Sequence, residues 1–246
     1  MKLADALISK DRALPGREQR ILPPAHAILN TEIADEQGGL KLPEGCEQIL
    51  FGMGCFWGAE RKFWSLAGVY STSVGYAGGY TPNASYEEVC SGLTGHTEVV
   101  AVVYRSDELT LDQLLKVFWL NHDPTQFMRQ GNDRGTQYRS AIYCSDADQL
   151  ERSQTSMQLF QQVLDRRKLG QIVTEIKVLD EYYFAEAYHQ QYLHKNPNGY
   201  CGLGGLALAD KDLVDMIWSL VVGNLQGFSI FLSRYPVQRP SPNKYA

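Results

Sequence analysis

Strand-like and helix-like runs alternate along this chain, and that alternation limits the fold more than any other feature. "QILFGMG" (48–54) reads as a buried strand entering a glycine turn, and "FWGAERKFWSL" (56–66) as a helix with Phe56, Phe63, Trp64 and Ala67 toward one face. "EVVAVVYR" (98–105) is a second buried strand. "TLDQLLKVFWLNH" (110–122) is a helix with Thr110 as its cap, and "RSAIYCS" (139–145) a further strand. "DADQLERSQTSMQLFQQVLDRR" (146–167) is a long helix and "VTEIKVLD" (173–180) a strand. Such an order requires a sheet with helices packed on it, of class α/β or α+β.

Residues 1–47 carry "LPGREQ", "LPPAH" and "LPEG", a proline-punctuated stretch that reads as an arm lying on the core. Residues 210–246 differ in character, with no charge between Asp215 and Arg234. As a helix this tail would gather Asp212, Asp215, Ser219, Gly223 and Gln226 on one stripe. It is too polar for a membrane span, and docking on the core or on a second subunit is expected rather than membrane association.

A formal net charge of -5, with lysines and arginines scattered rather than clustered, gives no basic stripe of the kind that nucleic acid requires. The first twenty residues mix both charge signs and show no secretory pattern, so a cytoplasmic protein is expected. The five cysteines (46, 55, 90, 144 and 201) are odd in number and widely spaced, which predicts free thiols.

Cys55 stands apart from the others. It follows a glycine, precedes Phe56 and Trp57, and sits where a helix begins. A thiol has an ordinary pKa of ~8.5, and a helix N-terminus stabilises the thiolate by about 0.3–1 kcal/mol, which is less than one pKa unit. A second group must therefore complete the activation. Glu98 begins an almost wholly apolar strand, where burial raises a carboxyl pKa, and a neutral Glu98 could donate a proton. Tyr86 and Tyr138 could offer hydroxyl hydrogens to the same oxygen.

Four stretches then resemble, in order and spacing, the A-type peptide methionine sulfoxide reductases. They are "GCFWG" (54–58), "GYAGGYTPNASYEEVCSGLTGHTEVV" (75–100), "NHDPTQFMRQGNDRGTQYRSAIY" (121–143) and "YFAEAYHQQYLHKNPNGYCGLGG" (183–205). The resemblance spans roughly residues 48–208, and "ALPGR" (13–17) is similar to the arm of bacterial members. It implies an α+β two-layer sandwich with a mixed, ferredoxin-like sheet, long irregular segments and a C-terminal coil. It also implies a catalytic domain over 48–209, between the arm and the tail.

By the same resemblance, Cys55 attacks the sulfur of an S-epimer methionine sulfoxide, free or in proteins, while Glu98, Tyr86 and Tyr138 hold and protonate its oxygen. Phe56 and Trp57 receive the methyl group, and Asp133 and His189 shape the pocket. Cys201 resolves the Cys55 sulfenic acid as a disulfide, which thioredoxin reduces. No cysteine follows Cys201, and Ala209 stands where some bacterial relatives place a recycling cysteine, so a two-thiol cycle is expected. No cofactor and no metal is expected. His189 and His194, five apart, would point to different faces of a helix, and "GLGGLA" (202–207) reads as a loop. A cysteine hydrolase using Cys55, His189 and Asn196 or Asn198 is the competing reading.

Overall fold

In the computed structural model, residues 6–206 are described, and the expected tail 210–246 lies outside them. Six strands form one mixed sheet in the order β7-β6-β1-β3-β2-β8. These are β1 (Cys46–Met53), β2 (Val69–Ala77), β3 (Thr97–Arg105), β6 (Ser140–Cys144), β7 (Glu175–Val178) and β8 (Tyr182–Phe184). All neighbours are antiparallel except β6 and β7. Two short strands, β4 (Arg129–Gln130) and β5 (Asp133–Arg134), pair separately. Among the described residues the α-helices are α1 (Phe56–Trp64), α2 (Tyr86–Cys90), α3 (Leu111–Asn121), α4 (Ala147–Arg167) and α5 (Tyr192–Lys195). The mixed α+β class expected from the sequence is what forms.

The continuous apolar run of β3 follows from a sheet covered on both faces. On one face Phe51 of β1 stacks on Phe63 of α1 and on Phe118 of α3, with ring centroids 5.0 and 5.3 Å away. On the other, Leu50, Val99, Ala101 and Tyr143 form a cluster capped by Leu40 from the arm and Leu179 and Tyr182 from the chain beyond β7. Successive strand residues alternate between faces. Glu98 therefore shares the side of Val100, which pairs with Phe51, and that is the side of α1.

Thr110 caps α3 as expected, in a capping box with Gln113. Helix α1 is shorter than its apolar pattern suggests. It ends at Trp64, so Ala67 lies beyond it and is exposed, and only Phe56 and Phe63 of the expected face are fully buried. Strand β2 carries no clear apolar pattern because its polar groups find partners inside. The Thr72 hydroxyl bonds to Glu60 and the Ser73 hydroxyl to Tyr182.

The arm lies on this core through specific bonds. The Leu14 amide donates to the Leu93 carbonyl at 2.9 Å, and Arg17 pairs with Glu88 at 2.8 Å. Further along, His26 Nε2 contacts the Thr72 hydroxyl at 2.9 Å.

Candidate active site

Cys55 is the N-cap of α1, the junction that the glycine turn creates. Gly54 has φ of 85°, and a Cβ there would come within 2.5 Å of Gln130 Cβ, so both backbone and space demand glycine. The thiol opens into a cavity of about 190 Å³ walled by Phe56, Trp57, Tyr86, Glu98, Asp133, Tyr138 and Tyr200. The structure thus brings together Cys55, Glu98, Tyr86, Tyr138, Phe56, Trp57 and Asp133 from five separate stretches of chain.

The electrostatics of the cavity favour protons on its acids. Glu98 is 2% exposed, and burial raises its carboxyl to a pKa of about 8, against the pull of the Phe56 amide that donates to Oε2 at 3.0 Å. Burial also pushes the Cys55 thiol well above its ordinary value, as does the charge of Glu98, while the amides of Trp57 and Gly58 act in the opposite direction. A neutral Glu98 removes its share of that repulsion. The hydroxyls of Tyr86 and Tyr138 are raised chiefly by burial and stay protonated donors.

The donors are fixed from behind. The Glu186 carboxylate accepts from the Tyr76 hydroxyl at 3.0 Å and from the Tyr86 amide at 2.9 Å, which ties the start of α2 to β2. His189 does not line the cavity. It is buried behind the wall, where its Nδ1 accepts the indole hydrogen of Trp57 at 3.0 Å and its ring packs against Phe56 and Tyr86 at 5.1 and 4.6 Å. Burial lowers its pKa to about 4, so the ring is neutral. With Nδ1 accepting, the proton sits on Nε2, 3.9 Å from Glu186 Oε2. His189 therefore reaches the site through Trp57. Tyr192 reinforces that wall by stacking on the indole with centroids 3.8 Å apart.

Cys201 lies against the first turn of α1. Arg61 Nη2 contacts its Sγ at 3.1 Å, and a Cβ built on Gly58 would fall 3.0 Å from that Sγ and 2.9 Å from Leu203 Cβ. Glycine at 58 is what lets the C-terminal segment approach. Both Cys55 and Cys201 are free thiols here. Tyr200, beside Cys201, closes one side of the cavity and donates to Asp133, with both carboxylate oxygens at 3.2 Å. Sequence reasoning missed Tyr200, although its place next to Cys201 in "NPNGYCGLGG" was a signal. It also missed Glu186 and Tyr192, whose work is done behind the wall.

The other thiols are scattered. Cys144 is buried and contacts the Ser153 hydroxyl at 3.5 Å, Cys46 is half-buried on β1, and Cys90 is exposed at the end of α2.

Comparison with known proteins gives the family. The family model for peptide methionine sulfoxide reductase matches residues 47–215. The human mitochondrial peptide methionine sulfoxide reductase is 55% identical over 206 residues, covering 84% of this chain and 86% of the human protein. The peptide methionine sulfoxide reductase MsrA of Pseudomonas aeruginosa is 57% identical over 200 residues, covering 81% and 91%. Among solved structures, methionine sulfoxide reductase A of Corynebacterium diphtheriae superposes with a TM-score of 0.74 at 46% identity, covering 80% of this chain and 93% of that one. A chain matched over most of its length at this identity, with the cavity built around Cys55, belongs to the peptide methionine sulfoxide reductase family.

Proposed function

We propose that this protein reduces the S epimer of methionine sulfoxide, free or in proteins, and so repairs oxidised methionine. The observation that carries the reading is a helix-capping thiol facing, in one small aromatic cavity, a buried carboxyl whose pKa of about 8 keeps it protonated at neutral pH.

The substrate's S-methyl group packs between Phe56 and Trp57, where a soft methyl on sulfur is well accommodated. Its oxygen takes hydrogen bonds from Tyr86, Tyr138 and neutral Glu98. As Cys55 sulfur attacks the substrate sulfur, Glu98 gives its proton to the oxygen and the thiol proton passes to the carboxylate left behind. The sulfur–sulfur bond so formed breaks as the protonated oxygen passes to Cys55 sulfur, so that thiol plus sulfoxide become sulfenic acid plus thioether. Methionine leaves, and Cys201 sulfur displaces water from the Cys55 sulfenic acid to form a disulfide. Thioredoxin then reduces that bond by thiol–disulfide exchange, in a cycle that uses two cysteines of this chain.

Asp133 and His189 contribute by position, Asp133 through Tyr200 and His189 through Trp57. The hydrolase alternative lacks support, because the acceptor nitrogen of His189 is already occupied by Trp57 and the ring is walled off from Cys55. The strand order β6-β1-β3-β2 with α1 and α3 as crossovers favours a ferredoxin-like core in a two-layer sandwich. The catalytic domain is assigned to 48–209, with 1–47 as arm and 210–246 as extension, in a cytoplasmic enzyme.

The test is to incubate reduced protein with S-epimer methionine sulfoxide without added thiol, then measure methionine and map disulfides by peptide mass spectrometry. One methionine per chain with a Cys55–Cys201 link is expected. No methionine and unmodified Cys55 would refute the reading.

A further inference from the structure

A second cavity, of about 320 Å³, is lined by different residues of two elements that also line the first, α2 and β5. Leu7, Ile8, Arg12, Cys90, Arg134 and Thr136 line it. Helix α2 presents Tyr86 to the Cys55 cavity and Cys90, one turn later, to the second. Strand β5 does the same with successive residues, Asp133 facing the first and Arg134 the second, as strand alternation requires.

The chemistry of this neighbour is one-sided. Arg12 and Arg134 are its charged wall residues, both exposed, and neither guanidinium has a carboxylate partner among the described residues. Thr136 is 3% exposed, yet its hydroxyl oxygen is buried with no hydrogen-bond partner among the described residues. Two unpaired cations beside an orphaned hydroxyl are arranged for an oxygen-rich anion.

We propose that this cavity is a specificity subsite that takes the carboxylate of an Asp or Glu close in sequence to the oxidised methionine of a polypeptide substrate. The inference rests on the reductase reading and adds to it a preferred substrate class. Its geometry fits an extended peptide. Tyr86 and Cys90 are ~6 Å apart along the helix axis, and two residues of extended chain span ~7 Å. With the sulfoxide in the first cavity, an acidic side chain two residues away reaches the second. The arm that contributes Leu7, Ile8 and Arg12 is held nearby through the Leu14 bond to Leu93.

The test compares kcat/KM for two hexapeptides that differ only in Asp or Lys two residues from an S-epimer methionine sulfoxide, with N-acetylmethionine sulfoxide as the substrate that fills the first cavity alone. The wild-type chain is expected to favour the Asp peptide by about three- to fivefold at low salt, the range of a partly exposed charge pair, and less at high salt. Arg12→Glu should abolish or invert that preference while leaving N-acetylmethionine sulfoxide turnover unchanged, and Arg134→Gln should weaken it. Equal rates for the two peptides, or a preference that survives both substitutions, would overturn the subsite. Loss of turnover on every substrate would instead count against the reductase reading. The subsite is then judged from the binding of the same peptides, fluorescein-labelled: tighter Asp-peptide binding that Arg12→Glu abolishes supports it, and equal affinities reject it.

Discussion

The backbone amide of Phe56 donates to Glu98 Oε2 at 3.0 Å, so the first amide of the helix capped by Cys55, the proposed nucleophile, is held by the proposed acid. That bond fixes the Glu98 carboxyl against the turn that carries Cys55. It also keeps Glu98 from turning away into the apolar core beside it.

Glu98→Gln keeps an oxygen for the Phe56 amide but has no proton to give. Single-turnover methionine formation should fall by about 10²- to 10⁴-fold, the usual contribution of a positioned acid. In the wild type the required form is the protonated one and its pKa is about 8, so the rate should hold below that pH and decline above it. Stopped-flow measurements from pH 6 to 10 would show this. A rate that rises through pH 8 would identify thiol ionisation, not Glu98, as the controlling step.

Trp57→Phe keeps an aromatic wall and removes the indole hydrogen that His189 accepts at 3.0 Å. A lost neutral hydrogen bond is worth ~1 kcal/mol, so kcat/KM should drop by about fivefold. Removing His189 as an acceptor, by His189→Phe, should have a similar effect and add little when combined with Trp57→Phe. Additive losses would mean that His189 acts on substrate by another route.

Gly58→Val places a branched side chain where Cys201 Sγ and Leu203 now approach to about 3 Å. The first methionine should form at nearly the wild-type rate, because Cys55 and its cavity remain. Disulfide formation and steady-state turnover with thioredoxin should slow by at least tenfold, since displacing a thiol by about 1 Å can cost two orders of magnitude. Burst and steady-state rates that fall together would show that the substitution damages the first step instead.

Glu60, fully buried on α1, accepts from the Thr72 hydroxyl at 3.0 Å and from the Gln191 amide and side chain, each at 2.8 Å. Burial raises its pKa to about 7 against those three donors. A native pKa above the unfolded value means that its contribution to stability is full below about pH 4.5 and is lost as pH rises through 7. Glu60→Gln sets an amide hydrogen against one donor and should destabilise by ~1–3 kcal/mol at pH 5. The gap from wild type should narrow by pH 8, as followed by urea unfolding, and a gap that widens would reverse the assignment.

Much of the site was legible in the residues themselves. A thiol after a glycine at a helix start, and an acid at the head of an apolar strand, each carry a physical signature that needs no neighbour. Strand β2 was not legible, because its serines and threonines look like loop until Glu60 and Tyr182 are seen to satisfy them. Likewise nothing local distinguishes a histidine that touches substrate from one that holds a tryptophan: His189 had to be located before its neutral ring and its acceptor nitrogen gave it a role. Ala67 failed for a simpler reason, since helical spacing continues in the sequence after the helix has ended at Trp64.

Glu98 points toward α1 because it lies an even number of residues from Val100, the partner of Phe51. The acid is thus addressed by parity. A single residue inserted between Glu98 and Val100 would turn the carboxyl onto the opposite face, among Leu50 and Tyr143, and two would turn it back but displace it along the strand. This span of strand can lose or gain nothing without misplacing the carboxyl.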